Sequence, residues 1–297
     1  MPVRGRVIVC AVLRAFASGS LFGERFGSSE PWVVALHGWA RTHTDFSAVL
    51  GAGDGSGRPD GAIVAPEGEG EGEGEGEGEG EGEGEGELRP ARLDAIDAIA
   101  LDLPGFGATP PPPEPWGSSE YARVVGALLA ETAPRVVLLG HSFGGRIAVH
   151  LAAAHPERVA AVVLSGVPLY RPDGGARRPP AAYRVVRGLA RAGIVGGERL
   201  ERARRRYGSA DYRAASGVMR DVLVRVLGER YDDALGAIAC PVELVWGEQD
   251  REVPVAVARR AAGALGAATL VVLPGVGHLT PTEAPAALRD AVLRHRP

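Results

Sequence analysis

The chain has 297 residues, 45% of them hydrophobic, only two cysteines, and a formal net charge of −4. That length and apolar share suffice for one large α/β domain or a domain with an inserted lobe, and no apolar run reaches the roughly 20 residues a membrane-crossing helix needs. Cys10 and Cys240 are too few for a disulfide framework and lack metal-ligand spacing, which suits a reduced, cytoplasmic setting.

Arg4 and Arg6 precede an apolar run over residues 7–13, but the run is short and Arg14 interrupts it, so the segment reads as a first strand and not a secretion signal. Residues 7–17 and 21–25, joined through Ser18-Gly19-Ser20, predict a hairpin at a sheet edge. Residues 32–36 are a buried-strand run leading into His37-Gly38-Trp39, and a helix is expected to begin near Thr44-Asp45. From 51 to 90 hydrophobic periodicity lapses, and strict Glu-Gly alternation over 67–87 predicts a disordered surface loop, because alternate glycines raise the entropy of ordering and no apolar side chain offsets it. The eleven glutamates of that tract put −11 into a total of −4, so the remainder stands at +7, with every basic residue an arginine. No nucleic-acid motif or interleaved aromatic residues accompany this charge, so no nucleic-acid partner is expected.

A strand over 95–101 leads into Asp102-Leu103-Pro104-Gly105-Phe106-Gly107, Pro110 to Pro115 is loop, and a helix is predicted over 118–132. The apolar run 136–139 then ends in Gly140-His141-Ser142-Phe143-Gly144, a Gly-x-Ser-x-Gly pattern between a strand and an alanine-rich helical segment. This is the pattern of a nucleophile elbow, in which a tight strand-to-helix turn exposes the serine hydroxyl and a Cβ on either glycine would collide with its neighbours. A strand over 159–164 follows. Residues 168–235 are arginine-rich and helical in pattern, with fifteen arginines against eight acidic residues up to Gly236, and are expected to form an inserted cap. Apolar positions there that could face a cleft are Tyr183, Val186, Leu189 and Ile194, then Val218, Met219, Val222, Leu223, Val226 and Leu227. The core, 1–167 with 236–297, resumes with strands over 242–246 and 269–273 and helices over 255–265 and 285–295.

Alternating strands and helices predict an α/β fold with a mostly parallel sheet covered on both faces. His37, Asp102, Ser142, Asp250 and His278 each follow a strand, where such sheets bind ligands. A serine hydroxyl needs a base to take its proton and the base needs an acid to orient it, and His278 and Asp250 are the candidates, with Glu248 and Asp102 as rivals to the acid. His37 is read as shaping its loop, Asp102 as forming a turn, and His43, His141, His150, His155 and His295 as structural or solvent-exposed.

In combination, His37-Gly38-Trp39, Asp102 to Gly107, Gly140 to Gly145, Gly247 to Pro254, and Gly277-His278 with Glu283-x-Pro285 resemble the loops of the α/β-hydrolase superfamily, serine-nucleophile branch. The resemblance implies the α/β-hydrolase fold with a helical cap, a catalytic set of Ser142, Asp250 and His278, and an oxyanion hole made by the backbone N–H groups of Trp39 and Phe143. It implies no cofactor and no metal, and a small-molecule substrate; oligomeric state stays open. Serine at 142 excludes the aspartate-nucleophile branches, and Ala40-Arg41 after Trp39 fits poorly with lipases that carry an extended glycine-rich oxyanion segment. The preferred expectation is a carboxylesterase-like hydrolase. Carbon–carbon hydrolases, lyases and cofactor-free haloperoxidases remain as alternatives, as does a catalytically silent ligand-binding protein of the same fold.

Overall fold

The computed structural model of the protein describes residues 12–52, 94–170, 181–207 and 209–297. The expected start of the first strand and the Glu-Gly tract lie outside the described residues. Strands β1 (Leu13–Phe16) and β2 (Leu21–Phe26) form the antiparallel hairpin at the sheet edge, joined by a tight turn at Ala17–Gly19. β3 (Val33–Leu36) is followed by a 3-10 turn at His43–Phe46 and the single-turn α1 (Ser47–Leu50). Then come β4 (Ala98–Asp102), α2 (Ser118–Gly126), β5 (Val136–His141), α3 (Phe143–Ala154) and β6 (Val159–Ser165). The helix expected over 118–132 tightens after Gly126 into a 3-10 turn at Ala127–Glu131.

Helices α4 (Ala181–Arg191), α5 (Gly197–Tyr207), α6 (Ala210–Ala214), α7 (Gly217–Val226) and α8 (Asp232–Gly236) lie between β6 and β7, and no strand interrupts them among the described residues. The chain closes with β7 (Val242–Gly247), α9 (Val255–Ala264), β8 (Ala268–Leu273), α10 (Thr280–Glu283) and α11 (Pro285–Arg294).

The eight strands form one sheet in the order β1-β2-β4-β3-β5-β6-β7-β8, and β2 alone runs against the rest. Strand side chains alternate between faces, which divides the core in two. Val34 and Leu36 of β3 join Ile147 of α3, Val125 of α2 and Val257 of α9 on one side. Val33 and Ala35 meet Val49 and Leu50 of α1 and Leu288 and Val292 of α11 on the other. Central strands buried on both faces are the reason β3, β5 and β6 read as unbroken apolar runs. With the parallel strands aligned, the loops after β3, β4, β5, β7 and β8 all leave the sheet at one edge.

The chain on either side of the Glu-Gly tract is tied together at its roots. Ile96 N–H donates to the Leu50 carbonyl at 2.8 Å. Arg289 of α11 donates from Nη1 to the carbonyls of Val49 (2.9 Å) and Gly51 (3.0 Å), and from Nη2 to that of Asp94.

Candidate active site

Ser142 stands between β5 and α3 with φ 48° and ψ −109°, a left-handed conformation that a non-glycine residue adopts only when its surroundings impose it. The surroundings are close backbone contacts. A Cβ on Gly144 would lie 2.0 Å from the Leu36 carbonyl oxygen, and one on Gly140 would lie 2.5 Å from Cα of Gly145. Ser142 N–H donates to the Ser165 carbonyl (2.9 Å) and Gly144 N–H to that of His37 (2.9 Å), which seats the turn between β3 and β6.

The hydroxyl of Ser142 is 3.2 Å from His278 Nε2, and His278 Nδ1 is 2.8 Å from Asp250 Oδ2. Asp250 Oδ1 accepts the N–H groups of Glu252 (2.9 Å) and Val253 (2.8 Å), so both oxygens of this buried carboxylate are occupied. The loops carrying these residues are joined by Gln249 N–H donating to the Val276 carbonyl at 2.8 Å, and Glu283 braces His278 by accepting from Gly277 N–H (2.6 Å) and Leu279 N–H (3.1 Å). Of the acids weighed from the sequence, Asp250 reaches His278; Glu248 is exposed, and Asp102 bonds elsewhere.

Burial is the largest influence on the His278 imidazole and opposes its protonation. The Asp250 hydrogen bond and the charges of Asp250, Glu252 and Glu283 outweigh it and hold the ring above its ordinary value of 6.5. Its neighbour His141, 5.0 Å away between ring centres, is driven down to about 3 by burial and then by His278 itself, so it stays neutral beside any charge His278 acquires. His37 is buried and lowered to about 4, chiefly by burial; its Nε2 accepts the Leu103 N–H at 3.0 Å and its Nδ1 donates to the Gly38 carbonyl at 2.7 Å. That is a loop-shaping role, as expected.

Phe143 is the first residue of α3, where an N–H has no partner within the helix, and neither its N–H nor that of Trp39 has an acceptor among the described residues. The two side chains meet edge to face at 5.4 Å, and Phe106 packs on both, 5.0 Å from Trp39 and 6.2 Å from Phe143. Sequence reasoning treated these positions as backbone donors and missed the aromatic cluster. It also missed Glu252, whose Oε2 is 3.5 Å from His278 Nε2.

A cavity of about 210 Å³ opens over Ser142, lined by Trp39, Phe143 and Arg146 from the core and by Leu223, Val226 and Leu227 of α7 or its end. These are three of the positions expected to face a cleft; Leu189 and Ile194 are exposed instead. A larger cavity of about 300 Å³ beside Tyr170 and Arg260 touches none of the candidate residues.

Comparison with known proteins places the chain in a family. Residues 82–291, more than half of the chain, match the alpha/beta hydrolase family. A 2-hydroxy-6-oxononadienedioate/2-hydroxy-6-oxononatrienedioate hydrolase of Cupriavidus pinatubonensis is 28% identical over 201 residues, covering 61% of this chain and 69% of that protein. A pimeloyl-[acyl-carrier protein] methyl ester esterase of Aromatoleum aromaticum is 31% identical over 208 residues, covering 59% and 78%. The solved structure of a thermophilic esterase from Thermogutta terrifontis aligns with TM-score 0.56 over 96% of this chain and 97% of that one at 21% identity, a likeness of fold. With its sheet order, strand-end loops and serine turn as described, the chain belongs to the alpha/beta hydrolase family.

Proposed function

We propose that the protein is a serine-dependent hydrolase of a small-molecule carboxylic ester, working through an acyl-enzyme on Ser142. The observation that carries this reading is the unbroken hydrogen-bonded series from Ser142 through His278 to Asp250, set in a strained strand-to-helix turn. With Nδ1–H donated to Asp250, the Nε2 lone pair of His278 faces the hydroxyl and takes its proton as Oγ attacks the acyl carbonyl. The oxygen that becomes an alkoxide is met by the N–H groups of Trp39 and Phe143, and each such donor is worth on the order of 3 kcal/mol in the transition state alone. Phe143 stands at the N-terminus of α3, so the helix dipole adds to that stabilisation. His278 then returns the proton to the departing alcohol, and water, activated by the same base, releases the acid. Helices α6 and α7, between β6 and β7, act as part of a cap over the cavity, and the reaction as written uses neither cofactor nor metal.

A fluorophosphonate probe is expected to label the wild-type protein and not Ser142→Ala; equal labelling of both would remove Ser142 as the nucleophile. A second reading, carbon–carbon bond hydrolysis with the same three residues, is favoured by the relative from Cupriavidus pinatubonensis. Turnover of short p-nitrophenyl esters against a vinylogous diketone separates the two.

A further inference from the structure

One side chain in the cavity over Ser142 is left with an incomplete set of partners. Arg146 lies one turn into α3 and is 7% exposed, a depth at which a cation ordinarily has a paired anion. It has none: among the described residues Arg146 forms no ion pair, whereas the other buried arginine, Arg289, is spent on three main-chain carbonyls. Nη1 of Arg146 donates to the Val226 carbonyl (2.6 Å) and the Tyr231 hydroxyl (3.2 Å), and the guanidinium lies 5.5 Å from the centre of the Tyr231 ring. The Val226 carbonyl is the C-terminal end of α7 and offers the partial negative charge of a helix terminus. The nearest carboxylate in this network is Glu229, one hydrogen bond further on through the Tyr231 hydroxyl (2.7 Å) and already accepting from Ser118 N–H (2.8 Å) and Ser118 Oγ (2.6 Å). Nε and Nη2 of Arg146 make no hydrogen bond among the described residues, neither is sealed from solvent, and Arg146 lines the cavity together with Ser142.

We propose that Arg146 determines specificity by binding a free carboxylate on the acyl group of the substrate, so that the preferred esters are half-esters of short dicarboxylic acids. Two adjacent guanidinium donors, Nε–H and Nη2–H, match a carboxylate in a side-on, two-bond arrangement. The acyl side is the one selected because the acyl group stays on Ser142 after the alcohol has left, and the buried wall holds what stays while the mouth releases what leaves. Trp39, Phe143, Leu223, Val226 and Val253 supply apolar surface for the chain between the two ends. Asp211 and Glu252 also border the cavity, but both are exposed, Glu252 at 72%, so water weakens their repulsion of a carboxylate held by the buried Arg146, while Glu252 still acts on His278, 3.5 Å away. This inference rests on the ester-hydrolase reading above.

The test compares p-nitrophenyl hydrogen glutarate with p-nitrophenyl valerate, which share a chain length and differ in the terminal carboxylate. Wild type is expected to favour the glutarate ester in kcat/KM. Arg146→Gln is expected to lose on the order of ten- to a hundredfold on that ester, mainly through KM, with valerate changed by only a few-fold, and Arg146→Lys to recover part of the loss. A wild-type preference for valerate, or an equal fall on both esters in Arg146→Gln, would overturn the proposal and leave Arg146 as a prop for α7. Calorimetric binding of glutarate to Ser142→Ala, with and without Arg146→Gln, needs no turnover. Glutarate bound only when Arg146 is present, with neither ester hydrolysed, would sink the hydrolase reading and keep the anion site; valerate turned over with no glutarate bound would do the reverse.

Discussion

His278 is contacted by two carboxylates that act on different nitrogens. Asp250, buried and saturated with hydrogen bonds, holds Nδ1 at 2.8 Å, while Glu252, 72% exposed, stands 3.5 Å from the nitrogen that faces Ser142. Both raise the affinity of the imidazole for a proton. In the mechanism proposed above, His278 must be neutral to accept the serine proton, so kcat/KM should fall as pH drops through a value above 6.5. Glu252→Gln removes one raising charge and is expected to move that acid limb to lower pH without abolishing activity; a pH–rate profile on an uncharged ester checks the sign, and an unmoved or upward-shifted limb would contradict it. Asp250 was legible in the sequence through its spacing after a strand and its order between Ser142 and His278. Glu252 was not, because an acidic residue two positions along a polar loop carries no sign of which way it points.

The loop after β3 and the turn after β4 work as one element. Asp102, at the end of β4, accepts from His43 N–H (2.9 Å), His43 Nδ1 (2.8 Å) and Ala108 N–H (2.8 Å), while His43 Nε2 lies 4.0 Å from Glu24 on β2. For Asp102, burial raises the pKa but the bonds from His43 and Ala108 prevail and hold it below 3.8; for His43, the Asp102 bond prevails over burial and, with Glu24, holds it above 6.5. The histidine's share of stability is complete below 6.5 and is lost as pH rises through its raised folded value, and the aspartate's is complete above 3.8 and is lost as pH falls through its lowered one. Asp102→Ala strands two main-chain donors and should cost about 2–4 kcal/mol, most between pH 4 and 6.5 and less toward pH 8. Urea denaturation across that range tests it, and a pH-independent loss would reject the coupling. The sequence marked Asp102 as a turn former from its place before Pro104-Gly105. It could not mark His43 as the partner, since they are far apart in sequence and meet only because β3 and β4 are parallel neighbours.

At the scale of the whole molecule, the α/β class and a mostly parallel sheet covered on both faces were readable from the apolar runs and their alternation with helical segments, whereas the order of the strands in the sheet was not, since pairing between distant strands leaves no mark on either one. Nor were the positions of the helices between β6 and β7, because an amphipathic stripe says that a face is covered and not by what; Leu223 and Val226 met the cavity while Leu189 and Ile194 met solvent. The tract between α1 and β4 is a further case. Its roots are joined by the Ile96–Leu50 hydrogen bond and by Arg289, so replacing residues 54–92 with a short glycine-serine linker should leave activity unchanged and raise stability by about 1–2 kcal/mol from loop closure. A broadened or lower unfolding transition would mean that the tract belongs to the folded body. Where the roots are held by other parts of the fold, closure entropy changes by only about 0.05 kcal/mol for one Glu-Gly unit more or less, far below thermal energy. Selection for folding therefore does not register the number of units, and copies of the gene in different strains should drift in repeat length by slippage while Arg289 stays in place.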